Sequence, residues 1–345
     1  MAVMGRKVPR WALVVGVVGI VAVAVDVGLF LALRGGGTAS GPAPPGRADT
    51  VAVIDPVHGD LVARLHVGRQ PTAIGAGYGS VWVLNKEDAT LTHIDPERRK
   101  VVATITPDAT ANALAVGSGG IWFVGHPRDG TASRATTSFE RIDPENGKVL
   151  RSFRTPAGAA VLAAGGGALW SSGVLSTREH ASTRADVKTG RMSRIKLGVM
   201  DGDLVAADDD AAYYVASLGN RVARVDARTG RMTNGIGLVT TASLIAGKVA
   251  ADPTGVAVGG GSLWISETDG RLLRLDLGLH RIRKIPVCRN AVAVAFGEGA
   301  AWVACSDMTV VEVDPATARA TRRILVGRLP RGIAAGEGGV WVTLN

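Results

Sequence analysis

Asp201, Asp203 and Asp252, set against Arg289 and Arg331, are the charged residues of this chain whose types could hold a ligand. Brought to one rim, the three carboxylates would attract a cation or an amine, with the guanidinium groups opposite. The six histidines, at 58, 66, 93, 126, 180 and 280, are scattered. Only His126 and His180 fall in long polar stretches, where Arg128, Arg134 and Arg178 accompany them. The chain contains no HExxH, no GxSxG, no phosphate-binding Gly-Lys-Ser/Thr loop and no dense His/Cys spacing. No catalytic residue, metal ligand or cofactor is therefore assigned.

The elements that must position these residues are short strands in a repeat. Trp82, Trp122, Trp170, Trp264, Trp302 and Trp341 each follow a turn of small residues, and Tyr213 in "AAYYVAS" fills the one gap. The successive spacings are 40, 48, 43, 51, 38 and 39 residues, the period of a four-stranded propeller blade. Asp55, Asp95, Asp143, Asp186, Asp226, Asp276 and Asp314 mark the same period in phrases such as "HIDP" and "RVDA". Seven aromatic and seven aspartate marks predict seven blades.

Within one blade, strand A is "PTAIGAG", strand B "VWVLN", strand C "TLTHID" and strand D "VVATITP". The aspartate series begins before the tryptophan series, so the final "PRGIAAGEGGVWVTLN" supplies A and B of a blade whose C and D are "VAVIDP" and "LVARLHVG" near the N-terminus. Closure of the ring by both chain ends removes the open edges of an incomplete sheet. The aromatic of strand B is expected to wedge between blades, and the aspartates to accept backbone N–H groups in turns.

The same alignment places candidate ligand positions at the channel mouth, where A strands begin. One ring of positions carries Gln70, Thr110, Gly158, Asp201, Asp252, Asn290 and Leu329; two residues on come Thr72, Asn112, Ala160, Asp203, Thr254, Val292 and Arg331. The polar members, Gln70, Thr72, Asn112, Asp201, Asp203, Asp252, Thr254, Asn290 and Arg331, are the expected ligand-binding set. They vary while the strand marks stay regular, as expected where repeats share a scaffold and differ at a site. Cys288 lies just before strand A and Cys305 at the end of strand B of one blade, so their upper ends should meet. A disulfide there would close a loop of about 17 residues and contribute about 3 kcal/mol in an oxidising compartment.

The N-terminus is a separate object. Residues 1–10 form a basic tail with Arg6, Lys7 and Arg10, followed by the apolar stretch 11–33, which carries fourteen Leu, Val, Ile and Phe residues and one charge, Asp26. Those side chains favour insertion by roughly 4 to 8 kcal/mol against about 2.5 to 3.5 for the aspartate. A single transmembrane helix is predicted, with the tail cytoplasmic and the remainder outside. The alternative is secretion after cleavage at "TAS", although the apolar run is longer than a signal peptide needs. Residues 34–49 are a Gly/Pro linker, and 50–345 the propeller. The net charge of +9 is spread rather than clustered, which argues against nucleic acid as a partner.

The repeat, with "VWVLNKEDATLTHIDPERRKVVATI" and "GGVWVTLN" as its clearest copies, resembles the YVTN or YncE-like β-propeller proteins over about residues 50–345. That resemblance implies an all-β, seven-bladed ring used for extracytoplasmic binding. The chain departs from it at "ADDDAAYY" and at the long connector 236–252. The expected function is a membrane-anchored, non-catalytic recognition module for a small molecule, an envelope polymer or a protein. The alternative is a propeller enzyme of lyase or hydrolase type, similar in architecture to virginiamycin B lyase, with its site at the channel mouth; the counterpart that this resemblance offers for a His and Glu arrangement is His126 with Glu267.

Overall fold

The computed structural model describes residues 49–107, 109–127, 137–143, 148–155, 158–176, 179–197, 202–216, 221–238 and 251–345. They lie in one compact unit, Pro44–Asn345. The predicted tail, the 11–33 span and the linker before Asp49 lie outside the described residues, as do Asp201, Arg128, Arg134 and Arg178.

Val, Ile, Thr and aromatic residues in runs of four to nine, punctuated by glycine turns, form 28 strands among the described residues. These pair into seven four-stranded sheets, the seven-bladed propeller that the two periods predict. Blades 1 to 6 span 71–105, 109–155, 158–195, 204–237, 253–286 and 291–325, each in the order A, B, C, D. Blade 7 takes A and B from Pro330–Gly336 and Gly339–Leu344, and C and D from Thr50–Ile54 and Leu61–His66. In this closing sheet Thr50 pairs with Leu344 and Val53 with Trp341, so the ring is sealed by antiparallel hydrogen bonds between the chain ends.

The A strands touch their neighbours all round the ring, the last against the first, and are therefore innermost. Such close approach explains their glycines. A Cβ on Gly75 would sit 2.7 Å from Val116 Cγ2, and one on Gly117, whose φ is +153°, would sit 2.5 Å from Ala164 O. Strand B is buried at every position in blades 1, 4, 5, 6 and 7, because both faces of a blade are covered by neighbours.

The core is accordingly seven clusters, one at each seam between consecutive blades, and each contains one mark of the aromatic series. The six tryptophans and Tyr213 are at most 1% exposed. Each ring removes about 150–250 Å² from water, about 4 to 6 kcal/mol of transfer energy. In blades 3, 5, 6 and 7 the indole N–H also donates to the carbonyl five residues back, at Gly165, Gly259, Gly297 and Gly336.

The aspartates of strand C make turns, as expected. Asp55 accepts from the N–H groups of Val57 and His58, Asp186 from Lys188 and Thr189, Asp226 from Thr229, and Asp314 from Ala316. Backbone N–H donors hold the carboxyls of Asp55, Asp95, Asp186 and Asp314 below the ordinary value, and the Thr229 hydroxyl does so first for Asp226. A group whose pKa is lower when folded stabilises the fold above its unfolded pKa and loses that contribution as pH falls through the folded value. Melting temperature is therefore expected to fall as pH drops below the ordinary carboxylate value of about 4, and to fall less steeply in Asp186→Asn/Asp226→Asn. Coincident pH profiles for the two proteins would show that these turns are not the source.

Candidate functional site

The mouth of the channel is built where strand A begins and strand B ends. Register there is irregular in a repeated way. In blade 1, Pro71 faces Asn85 and Ala73 faces Leu84, leaving Thr72 as an extra residue. The same bulge occurs at Asn112, Ala160, Thr254 and Val292, and in blade 7 Arg331 and Gly332 together span the single partner Thr343. In blade 4 the pairing of strand A, Leu204–Ala207, shows no shift. A bulge leaves a residue out of the ladder and re-aims its side chain, so the second of the two variable rings read from the sequence consists largely of residues that the scaffold releases from pairing.

Gln70, Asn112, Asp252, Asn290 and Arg331 are exposed, and Thr72, Asp203 and Thr254 half-buried. Gln70 holds a left-handed φ of 56° and donates its N–H to Asp49. The Thr254 hydroxyl is 2.8 Å from that of Ser266. The Asp252 N–H donates to Thr268, while among the described residues no hydrogen bond or ion pair engages the side chains of Asp252, Asn290 or Arg331. Neighbouring A strands bring Asp203 of blade 4 and Asp252 of blade 5 to one side of the ring, and Arg331 of blade 7 beside Thr72 of blade 1. No ion pair joins the acidic side to Arg289 or Arg331 among the described residues.

Two buried polar side chains at the same end escape a reading of A strands alone. They occupy the position of strand B three residues after the aromatic mark, where the seven blades carry Asn85, Gly125, Gly173, Ala216, Glu267, Cys305 and Leu344. Comparing that column across the repeats would have revealed them. Asn85 is fully buried, and its amide donates to the hydroxyls of Thr90 and Thr92. Glu267 is 3% exposed and lies 3.3 Å from Arg271 Nε, which also has Asp269 as a partner. Burial pushes the Glu267 carboxyl up and the Arg271 charge pulls it back. Removing Arg271 would leave the Glu267 carboxylate buried without its partner.

Glu267 thus belongs to Arg271. His126 lies near the end of strand B of blade 2, Gly120–Pro127, half-buried, and burial holds its imidazole below the ordinary value, favouring the neutral form. The histidine–carboxylate contacts among the described residues, His58 with Asp55 and His280 with Asp276, are both 3.5 Å and both lie in C–D turns at the opposite end. No group of three His, Cys, Asp or Glu arranged to hold a metal occurs among the described residues. Cys288 and Cys305 are joined across the tops of strands A and B of blade 6, with a Cα–Cα distance of 6.3 Å.

The arrangement offers an exposed rim of hydrogen-bonding and charged groups on a rigid collar, acidic on the side of blades 4 and 5. Compared with known proteins, the chain matches no family model and no curated protein.

Proposed function

We propose that this protein is a non-catalytic recognition module whose binding face is the channel mouth, carried outside a membrane by the apolar segment 11–33. One observation carries the reading: the bulges of strand A release Thr72, Asn112, Thr254 and Arg331 from pairing at the point where the blades differ in chemistry. A catalytic device would instead require a reactive group held by an orienting partner, and the polar groups at this rim are arranged as a collar of separate contacts. The repeat's resemblance to YVTN/YncE-like propellers supports the same reading. The acidic side, with Asp203 and Asp252 on neighbouring blades, suits an amine-bearing ligand.

Titration calorimetry of the full-length chain with putrescine and spermidine tests this. Saturable binding is expected, weakened about ten- to a hundredfold in Asp252→Ala, the cost of a lost charged hydrogen bond. Binding that is unchanged in both Asp203→Ala and Asp252→Ala would move the site away from the mouth.

A further inference from the structure

The seam between blades 4 and 5 breaks the repeat at the end of the ring opposite the mouth. Its aromatic mark is Tyr213 in place of tryptophan. The ring is fully buried against Leu263, Leu273 and Leu275 of blade 5, while the hydroxyl lies beside Arg224 without completing a hydrogen bond. Burial raises its pKa, with Asp208 adding to the effect, so the group is a neutral phenol, able both to donate and to accept.

Arg224 pairs across the strands with Tyr213 as Arg184 does with Trp170 and Arg274 with Trp264. In those two blades the guanidinium covers the indole and crosses the seam to a C–D turn carbonyl of the next blade, Ala227 or Pro315. The corresponding turn residue of blade 5 is Leu277. Arg224 is instead turned back to the Thr233 hydroxyl of its own blade, at 2.9 Å, and Asn234 reaches across to Gly278 O. Between these groups is a cleft of about 640 Å³, lined by Asp210, Tyr213, Arg224, Thr233, Asn234 and Leu277, with Gly278 and the exposed His280 at its blade 5 side.

A second feature marks the same sector. Elsewhere, the first residue of the A–B turn ties one blade to the next. Glu298 accepts from Gly338 N, Glu337 from Gly79 N, and Tyr78 from Gly119 N, while Ser118 donates to Ala168 O. The equivalent residues in blades 3, 4 and 5 are Gly166, Asp209 and Gly260, and none of them provides such a tie among the described residues. The ring is thus laced from blade 6 round to blade 3 and unlaced across the seam with the cleft.

We propose that this cleft is a ligand site, separate from the mouth, for a small zwitterion that places a carboxylate against Arg224 and the Tyr213 hydroxyl and an ammonium against Asp210. The size falls in the range of small-molecule pockets, about 300–1,000 Å³. Arg224 opposes a simple cation and Asp210 a simple anion, so the two charges together select a molecule that carries both. The guanidinium fork suits a carboxylate in particular.

The fold itself supplies the test variant. Tyr213→Trp restores the residue used in the other six blades, with the Asp208 carbonyl five residues back as its acceptor, and takes the phenol hydroxyl out of the cleft while keeping the seam packed. Full-length protein is titrated calorimetrically with glycine, L-serine, L-glutamine and glycylglycine. At least one is expected to bind with a dissociation constant of about 10 mM or tighter, and about tenfold or more weakly in both Tyr213→Trp and Arg224→Ala. Melting temperature in Tyr213→Trp should be equal to or above that of the parent. Acetate and glycinamide, each lacking one charge, should show no binding that Tyr213→Trp removes. Asp252→Ala should leave cleft binding unchanged, which separates this site from the mouth. If none of the four probes saturates, or if binding survives Tyr213→Trp, the proposal is wrong.

Discussion

Trp302→Ala is expected to lower the free energy of unfolding by about 3–5 kcal/mol, the usual result of truncating a fully buried tryptophan. The ring is 0% exposed and sits at the seam between blades 6 and 7. There it packs with Ala52 and Ile54 from the N-terminal strand and with Val340, Val342 and Leu344 from the C-terminal one. Its indole N–H donates to Gly297 O at 3.1 Å, and the Arg322 guanidinium lies over its face, 6.0 Å away. Arg322 in turn bonds Glu312 and the carbonyls of Pro56 and Val57 in the closing blade. Alanine would remove the ring, leave a cavity and loosen the guanidinium that spans the same seam. Urea denaturation gives the measurement, with Trp302→Phe as the milder comparison. A loss under about 1 kcal/mol would mean that the inter-blade rings do not hold the propeller together.

Reducing the Cys288–Cys305 bond is expected to cost about 3 kcal/mol in the chain-entropy model, since the bond closes a loop of 17 residues. That loop contains strands A and B of blade 6, Ala291–Gly297 and Ala300–Cys305. Cys305 is fully buried among Ile285, Val287 and Val303, so Cys305→Ser would mix loss of the bond with burial of a hydroxyl. The cleaner pair is oxidised against reduced parent protein, with Cys288→Ala/Cys305→Ala as the control. The parent should melt at a lower temperature in reductant and the double variant should not respond. An equal response in both would place the reductant's effect elsewhere.

The ring was readable because two residue types repeat at fixed strand positions for physical reasons. A wedge is needed at every seam, and Trp82 and its six equivalents provide it; a tight turn is needed after every strand C, and Asp55, Asp186 and Asp226 cap it. Even the closing blade followed from the offset between the two series. The bulges at Thr72 and Asn112 were not readable, because a register shift leaves no mark in composition. Nor was the burial of Glu267, whose meaning depends on Arg271 standing beside it in strand C. "ADDDAAYY" was visible as a departure, yet its consequence needed the position of Leu277 and Gly278 on the next blade. Whatever every blade shares repeats and can be read; whatever belongs to one pairing register or to one particular neighbour cannot.

The seal of the ring has a mechanical consequence. Thr50 opens its strand and Leu344 closes its own, and the two residues are partners at the same end of the ladder. A tension drawing the two chain ends apart would therefore load one rung at a time, from Thr50–Leu344 toward Ile54–Val340, and peel the strands like a zip. Strands pulled from opposite ends would share the load over every rung at once. The same ladder that closes the ring is thus loaded in its weaker direction by a pull on its two ends.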